Sequence, residues 1–263
     1  MKKTIISFSG GVESTTMCLL YGKGATAIFA DTGAEHKELY ERLDHVEKYL
    51  KDYHKGDFEL IKVKGKTRSR EGVESNSLTE YIINYEFMPS PNRRFCTYLY
   101  KIRPIEKYLS KYDNIEMLIG LNYDEQGRTG NLQALKNCEY RYPLIEHELD
   151  REDCIDILNL HGLNPEFPIY MQRGGCKYCF FKKESEFKAM YYFDNDTFNE
   201  VKDLEEQMQG KKKKYFSIMP SGKSFSDLEE ECKNEINNWG EKQMKEIYNQ
   251  VSKTTYCGGF CHR

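Results

Sequence analysis

The chain has 263 residues, enough for one large domain or a main domain with an appendage, and 39 basic against 42 acidic side chains leave a net charge of −3. That balance excludes the global basic field of a dedicated nucleic-acid binder, while leaving room for a local basic face. No run approaches the roughly 18 apolar residues of a membrane span, the start at Met1 has no signal-peptide apolar core, and nine cysteines favour thiols or metal ligands over a disulfide scaffold, so a cytoplasmic protein with no membrane partner is expected.

The first predicted element is a strand at Thr4 to Phe8, followed by Ser9-Gly10-Gly11-Val12-Glu13-Ser14 and an apolar helical stretch that ends at Gly22. Strand, glycine turn and helix N-terminus together make an anion trap. The glycines let successive N–H groups turn inward, the helix dipole adds positive potential, and the Ser9 and Ser14 hydroxyls can donate to phosphate oxygens. No lysine follows the glycines, which separates this loop from the G-x-x-x-x-G-K-[ST] type. The competing reading is an ordinary glycine turn.

The alternation then repeats, with a strand at residues 25–30, a helix at 35–50 with apolar positions Leu39, Leu43, Val46 and Leu50, and a strand at 58–63. A helix near 78–85, a turn at 88–92, a helix at 102–112 and a strand at 115–120 follow, after which the α/β core is expected to end soon. Strands alternating with helices imply right-handed crossovers and an open parallel sheet of about five strands with helices on both faces. Helices are predicted at 150–162 and near 184–192, 197–209, 225–237 and 241–251. The expected division is a nucleotide-binding domain over 1–165 and a cysteine-containing, mostly helical region over 166–263.

Two loops fall at the carboxyl ends of strands, where an open parallel sheet places its ligand crevice. In Asp31-Thr32-Gly33 the carboxylate can accept from a ribose or adenine amino group, or simply close an Asx-turn. In the segment from Gly120 to Arg128, Arg128 can pair with a phosphate, and Asp124 or Glu125 can position a metal or substrate group.

Cys176 and Cys179 have the spacing of zinc knuckles, iron-sulfur sites and redox pairs. Cys96, Cys257 and Cys261 are available as further ligands, Cys18 and Cys154 sit on apolar helix faces, and Cys138 and Cys232 have no evident partner. Lys211 to Lys214 form either a solvated loop or a short phosphate-backbone contact.

The order of these motifs resembles the phosphoadenosine phosphosulfate (PAPS) reductase-like group of the PP-loop superfamily, over Ser9 to about Cys179. The matching segments are Ser9-Gly10-Gly11-Val12-Glu13-Ser14, Asp31-Thr32-Gly33, Arg94-Phe95-Cys96-Thr97 before Lys101 and Pro104, Gly120 to Arg128, Tyr142-Pro143-Leu144-Ile145, His161-Gly162-Leu163, and Ile169-Tyr170 leading to Gly175-Cys176-Lys177-Tyr178-Cys179. The resemblance implies an adenine nucleotide with its phosphates on Gly10, Gly11 and Ser14 and its nucleoside near Asp31. Members with an intact Ser-Gly-Gly loop typically cleave ATP to AMP and pyrophosphate with Mg²⁺, using charge from a residue such as Arg128. Two departures are Glu13, where most of the superfamily has Asp, and a single Cys96 instead of a cysteine pair.

What the resemblance implies chemically is adenylyl or sulfur transfer, with a [4Fe-4S] cluster on Cys96, Cys176 and Cys179, or a four-thiolate centre closed by Cys257 or Cys261 that could equally hold zinc. The acceptor could be a tRNA or DNA, with a separate sulfur donor. Alternatives are a sulfonucleotide reductase that uses Cys261 as a tail nucleophile with a thioredoxin-like partner, or a metal-stabilised nucleotide-binding subunit of a larger assembly. Gly11→Asp would place a carboxylate in the anion nest and is expected to abolish ATP binding.

Overall fold

The structure, a computed structural model, describes residues 2–129, 137–172, 174–211 and 217–252. From the N-terminus the elements run β1 (Lys3–Ser7), α1 (Val12–Tyr21), β2 (Thr26–Asp31), α2 (Lys37–Tyr53) and β3 (Glu59–Lys64). A hairpin of β4 (Thr67–Arg68) and β5 (Glu74–Ser75) follows, with α3 (Leu78–Tyr85), α4 (Phe95–Thr97), a π-turn at Tyr98–Ile102 and α5 (Arg103–Leu109). Then come β6 (Ile115–Leu118), a 3₁₀ turn at Tyr123–Arg128, β7 (Cys138–Arg141), α6 (Pro143–Glu146) and α7 (Arg151–Leu160). The last helices are α8 (Glu184–Phe193), α9 (Asn195–Lys211), α10 (Phe225–Trp239) and α11 (Glu241–Ser252).

β1 is the central strand of a five-stranded sheet ordered β3-β2-β1-β6-β7, and every neighbouring pair is parallel. The chain builds outward from β1 to β3, then returns to the other side of β1 and builds outward again. That reversal puts a topological switch point between β1 and β6, where the loops leaving the two strands diverge and open a crevice.

Strand alternation sorts the apolar residues onto two faces. Ile6, Ala27, Phe29, Leu60 and Leu118 join Met17 and Cys18 of α1, Leu39, Leu43, Val46 and Leu50 of α2, and Cys154 and Leu158 of α7 in one cluster. Ile5, Ile28, Met117 and Cys138 face the other way, against Leu109 and Ile105 of α5. Helices therefore cover both faces, as the α/β pattern requires.

The α/β core does not end after residue 120, because β7 adds a fifth strand. Cys138-Glu139-Tyr140-Arg141 has too few apolar residues to read as a buried strand, and its place at the sheet edge explains why it can be polar. Lys2 bridges Glu116 and Glu139 across β6 and β7 at 3.0 and 2.7 Å. The expected helix at 102–112 is shorter, and the π-turn at Tyr98–Ile102 takes up the chain just ahead of Pro104.

The four expected C-terminal helices are present as α8 to α11. Phe187, Phe198, Phe225, Leu228 and Tyr248 belong to the same continuous core as the α2 face of the sheet. A Ser224/Asp227 capping box starts α10, and Lys188 ties α8 to Glu231 and Glu235 of α10 at 3.1 and 2.6 Å. Lys212 to Lys214 lie outside the described residues. Among the described residues no helix is long and apolar enough to cross a membrane.

Candidate functional site

The backbone leaves β1 through Phe8 and Ser9 and reverses at Gly10, whose φ of +79° is the left-handed conformation that glycine adopts without strain. A Cβ on Gly10 would lie 2.7 Å from Leu39 Cδ1, so the turn also packs directly on α2. Gly11 is the N-cap of α1 and supplies no side-chain cap. The first-turn N–H groups of Val12, Glu13 and Ser14 thus form an uncapped, partially positive helix end, while the Val12 side chain is buried in the core.

Two serines close the loop on itself. The Ser9 N–H donates to Ser14 Oγ at 3.2 Å and the two hydroxyl oxygens stand 3.1 Å apart. Gly120, just after β6, faces the same helix end: a Cβ there would sit 3.1 Å from the Ser14 nitrogen. A side chain there would push α1 away from the end of β6 by a few tenths of an ångström, so glycine suits this close approach, and Gly10, Gly11, Ser9, Ser14 and Gly120 are brought together at the switch point.

Glu13 is held by Arg151 in an ion pair and accepts from Asn122 Nδ2 at 3.3 Å. It therefore bolts the start of α1 to the start of α7 and to the segment after β6. Arg128 pairs with Glu125, and both are mostly buried. Burial raises the Glu125 carboxyl above the ordinary carboxylate range, with Arg128 opposing and Glu13 adding to the rise. Asp124 is exposed at the rim.

Asp31 ends β2 nearly buried, and its Oδ1 accepts from the Gly33 N–H at 2.8 Å and from the Tyr40 hydroxyl at 2.6 Å. The Asx-turn is thus realised, and Lys64 faces the other oxygen at 3.3 Å. Thr32 spends its hydroxyl locally, donating to Glu35 Oε1 at 2.8 Å and accepting from the Ala34 N–H.

The segment of Cys176 meets the residues that follow this loop. Backbone pairing joins Glu35 to Cys176, and the Lys177 N–H donates to the Ala34 carbonyl at 2.9 Å. Arg94, two residues before Cys96, lies with its guanidinium carbon 4.7 Å from the Phe181 ring centroid, two residues after Cys179. Burial raises the Cys96 thiol, and the charge of Lys101 opposes this. Burial lowers the Lys182 ammonium, which the Glu186 carboxylate and then Cys179 and Cys176 oppose. Among the described residues these thiols do not converge to within 4.8 Å in a group of three, so they are not arrayed around a single ion. Cys257 and Cys261 lie outside the described residues.

Sequence reasoning missed Arg42 and Arg151. Arg42 donates through Nε to the Gly10 carbonyl at 2.6 Å and through Nη2 to Thr15 Oγ1 and the Leu163 carbonyl at 3.0 and 2.9 Å. Its signal was available, since position 42 is three residues after Leu39 and four before Val46, a charge on an otherwise apolar face. Arg151 stands at the first position of a helix, where the dipole disfavours a cation, so a partner was to be expected. A cavity of about 680 Å³ beside Arg42 is bordered by Glu38, Glu41 and Glu166, an acidic lining unsuited to phosphates.

The family model for the phosphoadenosine phosphosulfate reductase domain matches residues 3–142, just over half of the chain, from β1 through β7. The chain belongs to the phosphoadenosine phosphosulfate reductase domain family. An uncharacterized protein of Methanocaldococcus jannaschii is 33% identical over 117 residues, which are 43% of this chain and 24% of that relative, so the match spans about a quarter of the relative's length. Among solved structures, the PAPS reductase of Candida auris in its phosphate complex is similar at 15% identity and a TM-score of 0.42, over 62% of this chain and 74% of that one.

Proposed function

We propose that the protein binds ATP in the β1–β6 crevice and cleaves it to AMP and pyrophosphate, activating an acceptor for sulfur transfer. The observation that carries this reading is the intact Ser9-Gly10-Gly11 turn opening onto an uncapped α1 at the switch point, with Gly120 pressed against it. An oxygen of the acceptor would attack the α-phosphorus and the bond to the bridging oxygen would break. Pyrophosphate would leave with the electron pair, and the N–H groups of residues 12–14 would stabilise its charge. Arg128 would exchange Glu125 for a phosphate oxygen, and Mg²⁺ would enter as the counter-ion of the substrate ATP. A sulfur nucleophile would then attack the acceptor atom that bears the adenylated oxygen, and AMP would leave with that oxygen and the bonding electron pair.

Cys96, Cys176 and Cys179 are the residues that would hold an iron-sulfur cluster. A cluster is larger than one ion and suits thiols that do not meet around a single point. When bound with three protein ligands, such a cluster supplies an iron that can take a sulfur atom.

Incubation with ATP, Mg²⁺ and tRNA or DNA, with AMP and pyrophosphate quantified, tests the reading. Acceptor-dependent AMP release is expected from wild type and not from Gly11→Asp. Release of sulfite from PAPS with a thioredoxin-type reductant, in place of AMP from ATP, would instead assign the reductase reaction. Release of ADP alone would remove the α–β cleavage.

A further inference from the structure

We propose that His36, Glu38 and Asp194 form a binding site for one zinc-type divalent cation, joining the segment after β2 to the turn between α8 and α9. One ligand atom from each residue lies within 4.8 Å of the other two. His36 is 1% exposed, and neither of its ring nitrogens has a hydrogen-bond partner. Glu38 Oε2 and Asp194 Oδ2 are buried without a partner as well. Four orphaned polar atoms on three neighbouring side chains are costly in a folded protein unless something binds them.

The remaining oxygens are held in ways that aim the free ones. The Tyr170 hydroxyl donates to Glu38 Oε1 at 2.7 Å, and the Thr197 N–H donates to Asp194 Oδ1 at 3.3 Å. Partners of this kind fix the orientation of metal-binding carboxylates. Two carboxylates balance the charge of a dication, and an imidazole in the set favours zinc over magnesium or calcium. Lys177 and Lys182 also act on the His36 ring. Each has its own partner: Lys177 donates to Glu200 at 2.6 Å and Lys182 to the Tyr170 carbonyl at 2.5 Å. Bonds of about 2.0–2.2 Å would draw the ligand atoms in from separations of up to 4.8 Å, and water would complete the coordination. The ion would pin the helical region to the segment that carries Asp31, Thr32 and Glu35, with no thiol in its ligand set.

The full chain, stripped by chelator under anaerobic reducing conditions, would be titrated with Co²⁺ as a spectroscopic stand-in and separately with Zn²⁺. In Cys176→Ser/Cys179→Ser one equivalent of Co²⁺ is expected, with weak visible bands and no thiolate charge transfer, and wild type should take up the same equivalent beside any cobalt that its cysteines bind. Asp194→Asn and Glu38→Gln keep the bonds from Thr197 and Tyr170 and are expected to weaken binding at least about tenfold. Zn²⁺ should raise the Tm of wild type and leave both variants unchanged. If Asp194→Asn does not fold, Glu38→Gln supplies the same reading. Absence of binding, binding solely with thiolate charge transfer, or affinity unchanged in the folded variants would each overturn the site.

Discussion

Arg42 grips the Gly10 carbonyl from behind the loop, Nε to oxygen at 2.6 Å, while its Nη2 holds Thr15 Oγ1 and the Leu163 carbonyl. The turn's carbonyl acceptor is therefore occupied by protein, while the first turn of α1 is left without a side-chain cap. Burial lowers the guanidinium's pKa to about 10, which still leaves it charged at neutral pH.

Arg42→Ala should destabilise the fold by about 2–3 kcal/mol, because a charged donor is lost from three acceptors at once. Urea unfolding measures this. ATP affinity should fall with it, and a stability change below about 0.5 kcal/mol would show that the loop holds its shape unaided.

The two loop glycines should respond differently to a single methyl group. Gly10→Ala meets Leu39 Cδ1 at 2.7 Å in a left-handed conformation, whereas Gly11→Ala meets only Ser9 Oγ at 3.5 Å. The first should cost about 1–2 kcal/mol from conformation alone, plus repacking of Leu39, and the second much less. Thermal unfolding of the pair decides, and equal losses would contradict the turn geometry.

Glu13→Ala removes the ion pair that ties the start of α1 to Arg151 of α7, with an expected cost of about 1 kcal/mol reduced by the partial exposure of the pair. In a double-mutant cycle, Glu13→Ala and Arg151→Ala should be coupled by at least about 0.5 kcal/mol. Additive effects would mean that the contact contributes nothing to stability.

Glu205 accepts from the Ile218 N–H on one oxygen at 2.8 Å and from the Phe225 N–H on the other at 2.6 Å. Glu205→Gln turns an amide N–H₂ toward one of those donors and should cost about 1–3 kcal/mol. Burial raises this carboxyl, and the two backbone donors only partly offset the rise. The native state therefore keeps the proton to higher pH than the unfolded chain. Stability should fall as pH climbs from about 4.3 toward the raised value, and that slope should flatten in Glu205→Gln.

Anaerobic purification with iron, acid-labile sulfide and zinc assays should find iron and sulfide in wild type and their loss in Cys176→Ala. Stoichiometric zinc that disappears with Cys176 would make the cysteines structural and favour the nucleotide-binding subunit reading. Retention of every metal in Cys176→Ala would remove this cysteine from the ligand set.

The parallel sheet was legible because β1, β2, β3 and β6 carry apolar runs between helix-length segments, and α2 repeats Leu39, Leu43, Val46 and Leu50 on one face. The strand, glycine turn and helix start at Ser9 to Ser14 were legible from that segment alone. β7 was hidden because an edge strand can be polar, and the π-turn at Tyr98–Ile102 because it shares the composition of an α-helix. Arg42 and Arg151 carried a local signal, a charge on an apolar face and a cation at a helix start, but their partners, like those of His36, could not be read from local sequence. Each acts through partners far along the chain, as Arg42 does at Leu163.

The central position of β1 sets an order of events during synthesis. β2 and β3 can pair on one side as soon as they emerge, but the other edge of β1 waits for Ile115 to Leu118. Until then a nascent chain carries an open row of backbone donors and acceptors at Lys3 to Ile6, next to Ile5 and Ile6, the kind of edge that invites pairing with other chains. The strand that anchors the loop thus stays open on one side long after β2 is paired on both, and slow synthesis between residues 64 and 115 would prolong its exposure.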